Sequence, residues 1–276
     1  MYNILIPTDF SENARKAVNY AIWLFQGTDV SLFIYNAYGT NRSDGSMLIS
    51  IDDILKKEAD EEMAKEMARI EDLKSSDMKV NGFVRNCTLT SFIHEVINDW
   101  DIDLIIMGTK GETGIKGKLM GSNASSVIRK VDIPIITIPG TTVLDDGGEF
   151  NIAFGTDLKP FKGRDLIAKM IDTMNTDTRK VHLELFYISP EKTEISEESR
   201  NYMDQLCSTG NCQYMNIVDD SIEKGLEHYI DTKKPDLLML VQRRDSFINR
   251  ILGNSISHSM LMKAELPMIV LHDVNS

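Results

Sequence analysis

Glycine is concentrated where phosphate chemistry would need it. From Gly108 to Asn123 the chain reads Gly-Thr-Lys-Gly-Glu-Thr-Gly-Ile-Lys-Gly-Lys-Leu-Met-Gly-Ser-Asn. Glycine permits positive φ and close backbone approach, so neighbouring amides can converge on an anion. Gly121-Ser122 then opens a helical pattern, whose unpaired amides and dipole favour phosphate. The loop is not a Walker A, since no Gly-Lys-Ser/Thr follows four spacer residues. Nor is it a dinucleotide fingerprint, since it follows the fourth apolar run rather than the first. Without a ligand, the same loop would be a surface connection. Thr8 and Asp9, just past the first apolar run, form the second group; their plainest role is a turn or helix cap.

Other reactive residues form no recognisable constellation. Cys207 and Cys212 have no neighbouring His or Cys to complete four zinc ligands, so they read as ordinary thiols. His94, His182, His228, His258 and His272 show no metal-binding spacing, and no nucleophile elbow or Ser/His/Asp order is visible. Lys56 to Lys74 has the Glu-to-Lys spacing of a solvated amphipathic helix, with Met63 and Met67 expected toward the core. Arg243, Arg244 and Arg250 could meet an anion, but a solvent-facing loop is the plainer reading.

The elements that must position these residues occur twice. Asn3-Ile-Leu-Ile-Pro-Thr-Asp9-Phe10 returns as Asn151-Ile-Ala-Phe-Gly-Thr-Asp157-Leu158. Asp103 to Met107 returns as Asp236 to Leu240, and Asp132-Ile-Pro-Ile-Ile as Glu265-Leu-Pro-Met-Ile. The reading is residues 1–140 as one domain, 141–150 as a linker containing Asp145-Asp-Gly-Gly148, and 151–276 as a second domain. In the first copy, strands at 2–6, 30–37, 79–85, 102–107 and 134–138 alternate with helices at 11–25, 51–73, 89–100 and 119–130. The second copy has strands near 151–155, 181–188, 212–218, 237–241 and 268–272. Runs apolar on both sides belong to parallel strands covered on both faces. The expected fold is α/β, two tandem doubly wound parallel five-stranded sheets with helices on both faces. Ligands of such sheets bind beyond the strands' carboxyl ends, where strand order reverses. In the first copy Thr8, Asp9, Asn36, Ala37 and Gly108 are expected there.

Composition narrows the partners. The 276 residues are 42% hydrophobic and 26% charged, ordinary for globular chains. No apolar run approaches the roughly 20 residues needed to cross a bilayer. The opening residues lack a secretory pattern and the three cysteines lack regular spacing, so a reducing, cytoplasmic location is expected. Thirty Lys+Arg against 42 Asp+Glu give −12, with no basic cluster interleaved with aromatics. Neither nucleic acid nor a membrane is an expected partner.

Pro7-Thr8-Asp9-Phe10-Ser11, Gly108-x2-Gly111-x9-Gly121-Ser122 and Val131-Asp-Ile-Pro-Ile135 together resemble the universal stress protein family, and the resemblance extends over both copies. It implies the adenine-nucleotide alpha-hydrolase-like fold, ATP as ligand, with or without magnesium, and a role in stress response or regulation. By that resemblance Pro7, Thr8 and Asp9 contact adenosine, Ala37 gives backbone contacts to adenine, and Met107 borders the base. Gly108, Gly111, Gly121 and Ser122 hold the phosphates, with Asn123 beside them. Gly111 and Gly121 are expected in backbone geometry that a β-branched residue resists. Pairing of the two copies as an internal pseudo-dimer, or of two chains as a homodimer, also follows from the resemblance.

The second copy departs from the pattern. Aligning Gly253 with Gly121 puts Leu240 at Gly108, Arg243 at Gly111 and Asn254 at Ser122, so one nucleotide per chain is expected, in the first copy. Two alternatives stay open: a slow ATP hydrolase, for which Glu112 is the only carboxylate in the loop, and a scaffold that binds no nucleotide.

Overall fold

The computed structural model describes residues 2–39, 48–109, 121–144, 148–159, 163–192, 195–207, 212–242 and 266–273. The chain divides into two units, Met1–Gly140 and Thr141–Ser276.

In unit 1 the strands are β1 (Tyr2–Pro7), β2 (Val30–Tyr38), β3 (Lys79–Asn86), β4 (Leu104–Gly108) and β5 (Ile135–Ile138), in the order β3-β2-β1-β4-β5. All neighbours are parallel. Ile4, Leu5 and Ile6 are fully buried, as are Leu104, Ile105 and Ile106, because helices cover both faces. Among the described residues four helices join the strands: α1 (Glu12–Leu24), α2 (Leu48–Leu73), α3 (Leu89–Asp99) and α4 (Ser122–Lys130). Strand order reverses between β1 and β4, which opens the crevice at their carboxyl ends.

Helix α1 starts where its sequence says. Ser11 is the N-cap, and its hydroxyl accepts from the Ala14 amide at 3.2 Å. Ala14, Ala17, Val18, Ala21, Ile22 and Leu24 form its buried stripe, and the small alanines bring it close to the sheet. Met63 of α2 is in the core as expected. Its Sδ and the Met67 side chain lie over Gly82, where an added Cβ would meet the Met63 sulfur at 2.9 Å. Glu66 binds α2 to α1. Its carboxylate, 1% exposed, receives Arg69 Nη2 at 2.6 Å and Arg69 Nε at 3.0 Å, with Arg15 Nε at 3.4 Å.

Unit 2 repeats the plan with β6 (Glu149–Gly155), β7 (Lys180–Ser189), β8 (Cys212–Val218), β9 (Leu237–Gln242) and β10 (Met268–His272), in the order β8-β7-β6-β9-β10 and all parallel. Its described helices are α5 (Arg164–Met174), α6 (Glu197–Cys207) and α7 (Ile222–Lys233). β6 begins inside the stretch read as linker. The second copy is shorter chiefly because α6 has 11 residues where α2 has 26.

Backbone register corrects the alignment of the two glycine loops. Ile4 pairs with Leu104 and Ile152 with Leu237. Asp103 Oδ2 accepts from the Asn3 amide at 2.9 Å, as Asp236 Oδ2 does from the Asn151 amide at 2.7 Å. Leu240 therefore corresponds to Met107, and Val241 to Gly108. An alignment anchored on Gly253 slips by one residue because the ladder between strands, not the glycine, fixes the register.

Candidate functional site

The Thr-Asp turn after β1 is built by its own side chains. Thr8 is buried; its amide donates to the Tyr35 carbonyl at 2.7 Å, and its Oγ1 accepts from the Phe10 amide at 2.9 Å. Asp9 Oδ1 accepts from the Ser11 amide at 3.1 Å. These two side-chain turns hold Phe10 at φ +60°, a conformation that non-glycine residues seldom adopt. Unit 2 repeats them. Thr156 Oγ1 accepts from Leu158 at 3.0 Å, Asp157 Oδ1 accepts from Lys159 at 3.2 Å, and Leu158 has φ +63°. The turn is thus structural in both units, and the difference between them must come from what surrounds it.

Beside the turn, Asn36 is buried at the end of β2 and donates Nδ2 to the Thr8 carbonyl at 2.8 Å. That carbonyl fixes the orientation of the amide, leaving Oδ1 buried with no hydrogen-bond partner among the described residues. Its neighbour Ala37 is partly exposed. Asn36 is not among the residues matched by resemblance; its place toward the carboxyl end of the second strand is what marks it for the crevice. Pro7 is buried and pairs with Tyr35 across β1 and β2.

Across the crevice, Met107 is buried and Gly108 ends β4. The reason for Gly108 is close packing against α1. A Cβ there would lie 2.5 Å from Asn13 Nδ2 and 3.0 Å from the Asn13 carbonyl oxygen. The Asn13 side chain also lies against Gly140, whose carbonyl accepts from Lys16 Nζ. Thr109 donates its amide to Ile138 at 3.0 Å and accepts the Gly121 amide at 2.6 Å. Both ends of the glycine loop are therefore tied to the end of β4.

Gly121 is the N-cap of α4 at φ −62° and ψ 153°, with no side-chain cap. This corrects one expectation: extended geometry there is open to any residue, so Gly121 contributes the absence of a side chain rather than positive φ. Its own amide is engaged by Thr109. The donors left at the helix start belong to the first turn, which includes Ser122 and the exposed Asn123. The Ser122 side chain lies outside the described residues, as do Gly111, Lys110, Glu112, Lys116 and Lys118. In unit 2 Arg243, Arg244, Arg250, Gly253 and Asn254 lie outside them too.

The universal stress protein family matches residues 1–139. Universal stress protein MJ0577 of Methanocaldococcus jannaschii is 29% identical over 150 residues, covering 49% of this chain and 93% of the relative. Universal stress protein MJ0531 of the same organism is 31% identical over 144 residues, covering 49% of this chain and 80% of the relative. A crystal structure of a universal stress protein from Archaeoglobus fulgidus superposes with a TM-score of 0.73 at 16% identity, covering 98% of both chains, so the shared fold extends through both units. With a family match over half its length and this fold throughout, the chain belongs to the universal stress protein family.

Proposed function

We propose that unit 1 binds ATP in the crevice between β1 and β4, and that the chain serves as a nucleotide-dependent regulatory module of the cytoplasm. The observation that carries this reading is the uncapped start of α4, held at the end of β4 by the bond from Gly121 to Thr109. A helix start without a side-chain cap offers amides and a positive dipole to phosphate. Gly111, Ser122 and Asn123 would extend that cradle, and Pro7, Thr8, Asp9, Ala37 and Met107 would border the nucleoside. The open Oδ1 of Asn36 matches an amino donor such as the one adenine carries. Bound magnesium would balance phosphate charge.

In unit 2 Val241 replaces Gly108 and Ile188 replaces Ala37, so the reading leaves that crevice without nucleotide. Calorimetry with Mg-ATP on the whole chain should give a stoichiometry near one, and Gly121→Asp should remove the binding. A stoichiometry near two would overturn the assignment, and the appearance of ADP with time would add hydrolysis to it. Strands β5 and β10 are apolar and come last in their units, and an apolar strand at a sheet edge favours pairing with a second copy of the chain as a homodimer. Analytical ultracentrifugation distinguishes monomer from homodimer.

A further inference from the structure

Among the described residues, the two units differ in what lies between the sheet and the helix preceding the fourth strand. In unit 1 this space is filled by aromatic rings. Phe33 stacks on Trp100 at 5.2 Å, and Trp100 also meets Phe83 at 4.4 Å and Phe92 at 5.6 Å. Equivalent positions in unit 2 follow from strand register, from the N-caps Thr88 and Ser221, and from Asp101 and Lys234, which both have left-handed φ. They place Ala153 at Leu5, Glu184 at Phe33, Gly225 at Phe92 and Lys233 at Trp100. Large apolar groups have become small or charged ones. A cavity of about 530 Å³ stands there, lined by Ala153, Glu184, Tyr229 and Lys233, within the usual size of small-molecule sites.

The polar groups of the cavity are only partly satisfied. Glu184 accepts from Tyr229 Oη at 2.8 Å and from Lys233 Nζ at 3.1 Å, so the lysine charge is neutralised within the wall. Tyr229 is buried and stacks on Phe186 at 4.2 Å, which makes that part of the wall rigid. His182 and Glu149 also line the cavity. Among the described residues His182 Nε2 is buried without a hydrogen-bond partner, and a carboxylate oxygen, Glu149 Oε1, is 3.9 Å away. That is too long for a hydrogen bond but is spanned by one nitrogen donating to both. Among the described residues no three His, Cys, Asp or Glu side chains converge as a metal site would require.

We propose that this cavity of unit 2 binds a small organic cation, with its ammonium or guanidinium between Glu149 and His182 Nε2 and its aliphatic stem along Ala153 and the backbone of β6 and β7. Two carboxylates against one lysine disfavour an anion, and the −12 charge of the chain draws cations toward it. The short Ala153 side chain leaves room for a carbon stem between the charges. The site is independent of the nucleotide crevice in unit 1.

Agmatine, which carries an ammonium and a guanidinium on a short aliphatic stem, is a suitable probe. Titrated into the full chain at about 0.15 M salt, where exposed charge is screened, it should bind saturably and shift the His182 imidazole resonances. Glu149→Gln, at an exposed position, should weaken binding about tenfold, as loss of one charge-assisted hydrogen bond implies. The triple variant Ala153→Leu, Glu184→Phe, Lys233→Trp rebuilds the packing of unit 1 and should abolish agmatine binding in a folded chain. Absence of saturable agmatine binding, an unchanged affinity in Glu149→Gln, or inorganic phosphate shifting His182 in place of agmatine would each overturn the proposal.

Discussion

At the residue scale, Gly108 shows how a motif position can have a reason unrelated to the ligand. Its neighbour is the Asn13 backbone, 3.0 Å from where a Cβ would stand. Gly108→Ala should therefore lower stability by about 1–3 kcal/mol, the usual range for overpacking, read from the urea midpoint. If stability held and only ATP affinity fell, the glycine would instead be serving the phosphates. Asp9 has a similar double reading, because its carboxylate already closes the turn to Ser11. Glu66 is a purely structural case. Glu66→Ala leaves Arg15 and Arg69 without their shared carboxylate. Both arginines reach solvent, so the expected loss is about 1.5–3 kcal/mol, the range for hydrogen bonds to charged groups, with ATP binding retained.

At the scale of elements, the starts of α1 and α4 are opposites. Ser11 satisfies α1 from its own side chain, whereas Gly121 leaves α4 without one. Ser11→Ala should cost about 1 kcal/mol, and Ser221→Ala, which uncaps α7, a similar amount. Gly121→Asp should change stability in the other direction. Its carboxylate can cap α4 and complement the dipole, raising stability by a few tenths of a kcal/mol or more while repelling phosphate. Thermal melts and ATP titrations of the same variant separate the two effects, and lowered stability would show that the helix start is already satisfied.

At the scale of the molecule, duplication has kept the frame and changed the chemistry. Alkaline stability is one consequence that both units share. Burial pushes the Tyr2, Tyr35 and Tyr229 hydroxyls well above their ordinary value of 10.0, aided at Tyr35 by Cys87 and at Tyr229 by Glu184. The folded state thus keeps protons that the unfolded chain releases. The stabilisation is complete below pH 10 and should be lost progressively as pH rises beyond it. Urea midpoints taken from pH 9 to about pH 11 should fall, and less steeply in Tyr229→Phe, which has no hydroxyl to ionise.

Sequence alone determined the repeat, the strand and helix order, and the helix start at Ser11, because these depend on local pattern: apolar alternation, caps and glycine positions. It also brought Thr8, Asp9 and Gly108 to the carboxyl ends of neighbouring strands, since strand–helix alternation leaves few possible topologies. The sequence offered two alignments, Asp103 to Met107 on Asp236 to Leu240 and Gly121 on Gly253. Tertiary structure decided between them: Val241 rather than Leu240 is the counterpart of Gly108, because hydrogen bonds between strands distant in sequence set the register. Only it showed that Gly108 packs against Asn13, a residue 95 positions earlier in the chain. The cavity of unit 2 was equally invisible. Glu184, Lys233 and His182 follow no motif, and their meeting depends on the absence of the rings that fill the same place in unit 1.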